Sequence, residues 1–95
     1  MVLIAYDVNT ESDGGKRRLR KIAKECVNYG QRVQNSVFEC LVDPTQFAML
    51  RGKLEKIAKV EFDSLRYYFL GSNWASRVEH YGAKSAYDPE GPIVI

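Results

Sequence analysis

The chain opens on a continuous apolar run, Val2 to Tyr6, that stops at Asp7. An unbroken run of this length predicts a strand buried on both faces. Residues 9–15, NTESDGG, are rich in turn formers and predict a loop. A helix is predicted over 16–29. Leu19, Ile22, Ala23, Cys26 and Val27 follow helical spacing, the basic residues fall elsewhere, and Gly30 marks a stop. Residues 31–42, QRVQNSVFECLV, are β-type, with a weak break at Asn35-Ser36 that would divide them into a short hairpin. Pro44 opens a second helix, predicted over 45–59, with Phe47, Leu50, Leu54, Ile57 and Ala58 on one face. FDSLRYYFL (62–70) predicts an aromatic-rich strand that Gly71 ends. Residues 72–92 read as a polar segment with scattered aromatics and two prolines, and the β-type run IVI (93–95) follows.

This order is strand, helix, one or two strands, helix, strand and an extra C-terminal strand. It predicts an α+β fold of the ferredoxin-like, split β-α-β kind: an antiparallel sheet with two helices on one face. Ninety-five residues are expected to make one domain, 1–95. Strands apolar on both sides leave the second face of the sheet to be covered, and a second copy of the chain is the simplest cover. IVI is expected to add a strand that helps lock the pair.

Composition adds little until charge is mapped by position. The chain has 14 basic and 12 acidic residues, a net of +2. Residues 16–24, KRRLRKIAK, hold six of the basic residues and no acid, so the rest carries 14 − 6 = 8 basic against 12 acidic, a net of −4. Charge concentrated in this way suits a local polyanion contact. Its first members fall at a predicted helix start, where the macrodipole disfavours cations and welcomes anions. A solvated helix face is the plainer reading of such a run. Cys26 and Cys40 lie among apolar residues and read as reduced core side chains, with a disulfide between them as the less favoured alternative. The first apolar run is too short for a signal or membrane segment, which leads us to expect a soluble, cytoplasmic protein.

Among candidate chemical groups Asp7 stands out, because aspartate is depleted in strands yet ends an apolar one here. Two readings fit: a carboxylate at the sheet rim that binds Mg²⁺, or a strand-end residue bonding the next turn. Asn35 and Ser36 read as turn chemistry, Glu39 as solvent-facing, Lys59 and Arg66 as solitary and solvated, and His80, the sole histidine, as a surface residue. Zinc-type spacing, a P-loop, a dinucleotide fingerprint and a paired nucleophile are absent from the sequence, and so is the aromatic RNA-binding signature found on some sheets of this order.

The strand ending in Tyr6-Asp7, the segment KRRLRKIAK and above all YGQRVQNSVFEC (29–40) resemble the CRISPR-associated protein two family, the small subunits of the spacer-acquisition complex. The ending VEHYGAKSAYDPEGPIVI (78–95) is similar to the branch found with type I-C systems. The resemblance runs over nearly the whole chain. It implies a ferredoxin-like homodimer with facing sheets. It also implies a metal-dependent endonuclease of antiviral defence that cleaves RNA or double-stranded DNA, the latter favoured here. The family's metal aspartate falls on Asp7, where one Mg²⁺ or Mn²⁺ would be shared by the two protomers. Its neighbouring aromatic falls on Tyr6, its other motif positions on Arg32, Ser36 and Phe38, and its basic helix start on Lys16, Arg17 and Arg18. The loop 9–15 is longer than in many members. The resemblance further implies a partner, the integrase subunit, whose dimers a non-catalytic, DNA-binding scaffold of this kind would bridge.

Overall fold

A computed structural model describes residues 1–71 and 77–83. The elements run β1 (Val2–Asp7), α1 (Gly15–Val27), β2 (Gly30–Gln34), β3 (Val37–Cys40), α2 (Pro44–Ile57), β4 (Ser64–Phe69) and β5 (Arg77–Gly82). They build one sheet in the order β2-β3-β1-β4-β5, antiparallel at every pairing. The first four strands with both helices form the predicted ferredoxin-like α+β fold. Asn35 and Ser36 do turn the chain between β2 and β3. The expected strand at 93–95 lies outside the described residues.

Alternation along the strands sorts the two faces. Val2, Ile4, Tyr6, Phe38, Cys40, Leu65, Tyr67 and Phe69 join Ile22, Cys26, Phe47, Leu50 and Leu54 of the helices in one buried cluster. Phe47 is its centre: its ring meets Tyr67 and Phe69 edge-on, with centroids 5.3 and 5.2 Å away. Both cysteines are buried there as free thiols, and burial pushes the thiol of Cys26 up to about 12 and that of Cys40 to about 11. They stay protonated and inert at neutral pH, as a core role requires. Ala5, Asp7, Ser64 and Arg66 project on the opposite, helix-free face.

The helices begin differently. Asp43 caps α2: its side chain accepts from the Gln46 amide at 2.7 Å while Gln46 Oε1 accepts from the Asp43 amide at 3.1 Å. This reciprocal pair, followed by Pro44 in the first turn, fixes the start locally. α1 starts on Gly14 with φ 76° and no side-chain cap. Gly14 supplies the left-handed turn, and a Cβ on Gly15 would run into the Asn9 carbonyl oxygen. The Gly-Gly pair therefore serves a tight loop-to-helix packing.

β5 differs from the sequence reading, which left 77–82 in a polar segment. Its helix-side positions are Arg77, Glu79 and Tyr81, opposite Phe69, Tyr67 and Leu65. Long polar side chains do the covering here. Arg77 lies 4.1 Å from the Phe69 ring centroid, and Arg51 of α2 pairs with Glu79 at 2.6 Å. Val27, expected on the apolar face of α1, is 59% exposed. The buried line of α1 is instead Gly15, Arg18, Ile22 and Cys26.

Candidate functional site

Asp7 sits at the exposed end of β1, opposite Ser64 of β4. With Ala5, Tyr6, Ser64 and Arg66 it lines a recess of about 160 Å³. Its carboxylate is thus at the rim of the helix-free face, and Arg66, expected to be solitary and solvated, is half-buried beside it. Among the described residues no three His, Cys, Asp or Glu side chains cluster as a metal site. A single hard oxygen donor at an open rim still fits Mg²⁺ or Mn²⁺, since Mg²⁺ keeps several waters and takes one or two carboxylates plus substrate phosphates.

Tyr6, Arg32, Ser36 and Phe38 come together on the other side of the sheet. The Tyr6 ring stacks on Phe38 at 6.1 Å, and the Arg32 guanidinium lies 5.2 Å from the Phe38 centroid. The Tyr6 amide donates to the Ser36 carbonyl at 3.0 Å, and its hydroxyl donates to the Asn35 carbonyl at 3.3 Å. Burial raises the pKa of that hydroxyl, against the lowering effect of nearby Arg32. Alternation puts Asp7 on the opposite face from this stack. Tyr6, Ser36 and Phe38 therefore fix the end of β1 against the β2–β3 turn, which sets where Asp7 is held. Arg32 itself is exposed, within reach of a ligand.

The basic run divides. Arg17, Arg20, Lys21 and Lys24 are exposed at spacings of three, four and seven along α1 and line one open cleft of about 410 Å³. Lys16 is exposed in the first turn. Lys59 is not solitary: with Arg17, Arg18 and Arg20 it lines an adjoining cleft. Arg18 corrects the expectation of a phosphate contact, because it is only 6% exposed and its fork is turned inward. Its Nε donates to Asp63 Oδ2 at 2.7 Å and its Nη2 to Oδ1 at 3.2 Å. It also donates to the Asp13 carbonyl at 2.8 Å and to Ser12 Oγ at 2.6 Å.

Asp63, fully buried, escaped the sequence reading. It accepts from the Asn9 amide at 3.1 Å and the Lys59 amide at 2.9 Å besides Arg18. Burial opposes its ionisation, but these hydrogen bonds outweigh it and hold its pKa below the ordinary 3.8. The signal for Arg18 was in the sequence: one turn before Ile22 and two before Cys26, it continues the apolar line.

His80 is half-buried on β5 opposite Arg66, with Nε2 3.2 Å from the Gly82 carbonyl oxygen. Glu39 is half-buried on β3 between Leu3 and Gln31. No helix among the described residues is long and apolar enough to cross a membrane.

The arrangement is that of a small ferredoxin-like α+β domain with a carboxylate at the open rim of its sheet and an exposed basic helix face. A model of the family described as CRISPR associated protein Cas2 matches residues 1–78, and the chain belongs to that family. It is 60% identical over 95 residues to a protein of Nitratidesulfovibrio vulgaris named CRISPR-associated endoribonuclease Cas2, covering 100% of this chain and 93% of that one. It is 57% identical over 95 residues to one of Halalkalibacterium halodurans named CRISPR-associated endonuclease Cas2, covering 100% and 99%. The crystal structure of Streptococcus pyogenes Cas2 at pH 6.5 superposes with a TM-score of 0.69 at 56% identity, over 77% of this chain and 88% of that one.

Proposed function

We propose that the protein is a metal-dependent endonuclease hydrolysing phosphodiester bonds of nucleic acid in CRISPR spacer acquisition, with Asp7 as its catalytic carboxylate. The position of Asp7 carries the reading: it is an exposed carboxylate ending a strand whose other face is locked by the Tyr6–Phe38–Arg32 stack. The names of the relatives as endonuclease or endoribonuclease support it. The open position of Asp7 on the helix-free face suits a homodimer in which two copies contribute it, as the resemblance to the family implies. Mg²⁺ or Mn²⁺ bound there would supply charge neutralisation at the scissile phosphate and a more acidic water. The chain's own part is to present the carboxylate, and to hold the backbone through Lys16, Arg17 and Arg32 together with the exposed side of α1. Phosphate contacts of this kind position without reading sequence.

Duplex DNA is the substrate we favour. The cleft of Arg17, Arg20, Lys21 and Lys24 has charge and no aromatic platform, whereas single strands are held largely by stacking. The type I-C branch rests on the tail motif 78–95, and the integrase partner rests on the family role. A second reading, a DNA-binding scaffold without cleavage, draws on the same basic face. The test is a cleavage assay with Mg²⁺ or Mn²⁺, with duplex DNA and RNA side by side, with and without chelator, on the native chain and Asp7→Asn. We expect chelation and Asp7→Asn each to abolish cleavage while duplex binding survives. Binding without cleavage in the native chain would establish the scaffold, and RNA cleaved in preference to duplex would overturn the substrate.

A further inference from the structure

The buried ion pair between α1 and the turn before β4 lies directly under the loop that follows Asp7. Arg18 and Asp63 meet in a two-point contact with side-chain exposures of 8% and 0%. The Asp63 carboxylate grips the Asn9 amide on one side and the Lys59 amide on the other. The Arg18 guanidinium reaches Ser12 and Asp13 further along the same loop. Asn9 adds its own turn, its side chain accepting from the Glu11 and Ser12 amides at 3.0 and 3.2 Å. The loop from 9 to 13, the turn 59–63 and the first turn of α1 are therefore tied through one carboxylate and one guanidinium. Asp7 is two residues from the first of these ties, and the cleft that it shares with Asn9, Thr10 and Glu11 is closed on one side by Phe62 of that turn.

We propose that Arg18 and Asp63 are a positioning pair: together they hold the strand end of Asp7 and the two loops around it as one rigid rim, and Arg18 makes no phosphate contact. A two-point Arg–Asp contact is stiff because both planar groups are fixed in register. With four further hydrogen bonds to the Asn9 and Lys59 amides, the Asp13 carbonyl and the Ser12 hydroxyl, neither charge is left to seek a ligand. A carboxylate that must meet a metal and a phosphate loses efficiency when its support loosens, even by a fraction of an ångström.

The kinetic arm of the test rests on the nuclease reading, and the other two arms do not. Arg18→Ala, Asp63→Asn, their double variant and Arg17→Ala are compared with the native dimer at a temperature where circular dichroism shows each folded. Arg17→Ala should flatten the salt dependence of duplex binding by about one in log–log slope, whereas Arg18→Ala and Asp63→Asn should leave the slope unchanged. Both should lower kcat about ten- to a hundredfold with KM within about twofold, and the double variant should be no worse than the poorer single one. Hydrogen exchange at the Asn9 and Lys59 amides should quicken about tenfold in Asp63→Asn. If Arg18→Ala does not fold, Arg18→Lys takes its place, since it retains charge but not the two-point contact.

A flattened slope in the Arg18 variant would overturn the proposal. So would a lower melting temperature with unchanged kcat, which is what a purely structural pair would show. If the native chain cleaves nothing, the nuclease reading fails, while unchanged exchange at the Asn9 and Lys59 amides in Asp63→Asn or a flattened salt slope in Arg18→Ala would still overturn the proposal.

Discussion

The two helix starts of this small domain solve one problem in opposite ways. Every helix N-terminus leaves unpaired amides and a partial positive charge. α2 answers locally, with the Asp43–Gln46 capping box and Pro44. α1 has a glycine at the cap position, no acid in its first turn and Lys16, Arg17 and Arg18 in its place. Its anchor is tertiary, the pairing of Arg18 with Asp63, 45 residues further along the chain. A helix that only needed to be stable would start as α2 does. The start of α1 gives up local stability to keep cations on an exposed face, which is sensible if an anion is to complete it.

The sharpest way to break this contrast is to discharge the exposed side of α1. With Arg17, Arg20, Lys21 and Lys24 all changed to Ala, four phosphate contacts would go. The expected loss of duplex affinity is about 10²–10³-fold near about 0.15 M salt, and it should shrink as salt rises. Thermal stability should hold or improve, because like charges three and four residues apart repel. Binding that survives unchanged would make this face an ordinary solvated one.

Acid should separate the starts next. The folded pKa of Asp63 lies below its ordinary 3.8, so its contribution to stability is fully present above that value and fades as pH falls through the lower, folded one. Exchange at the Asn9 and Lys59 amides, taken relative to the intrinsic rate at each pH and followed between about pH 5 and pH 2, should rise at the acid end of the window. In Asp63→Asn the rise should be absent, with exchange fast throughout. A rise already complete above pH 4 would mean that Arg18 does not hold the carboxylate ionised.

Which parts of this picture were legible in sequence follows from the range of the interactions. β1 announces itself as an unbroken apolar run, β4 as an aromatic-rich one, α2 by apolar positions at helical spacing behind a proline, and the β2–β3 turn because asparagine and serine interrupt a β-type run. β5 was not legible. Its sheet-covering positions are Arg77 and Glu79, whose methylene stems do the burying while their charges pair. Asp7 could be picked out as a carboxylate where a strand stops. Asp63 could not, since its meaning lies in partners 45 and 54 residues away in the chain. Arg18 was misread for a related reason: in a run of six cations, composition hides the one that points inward.

The converse of the first prediction lies at α2. Asp43→Ala removes an acceptor for the Gln46 amide and with it the capping box. The expected cost is about 1 kcal/mol of stability, read as a lower denaturant midpoint at unchanged m-value. Duplex affinity and cleavage should not change, because this start faces no candidate site. A loss of binding in this variant would show that the two helix starts are not as separate in role as their chemistry implies.

The smallest effect is the most direct probe of the trade at α1. Lys16 is exposed in the first turn, where a cation meets the positive end of the helix. Lys16→Glu reverses that sign and should stabilise the domain by about 0.3–1 kcal/mol at low salt, a rise of roughly 2–6 °C in Tm. Thr45→Glu at the matching position of α2 is the control. There the Asp43 cap already answers the dipole, so the gain should be smaller. Salt near 1 M should erase most of the difference, since the Debye length falls to about 3 Å. The same Lys16→Glu chain should bind duplex more weakly, with a salt slope lower by about one. Stability up and affinity down in one substitution is the outcome that a helix start held open for an anion requires. Stability that falls instead would mean that Lys16 already has a favourable partner within the fold, and that the contrast between the two helices is one of sequence and not of function.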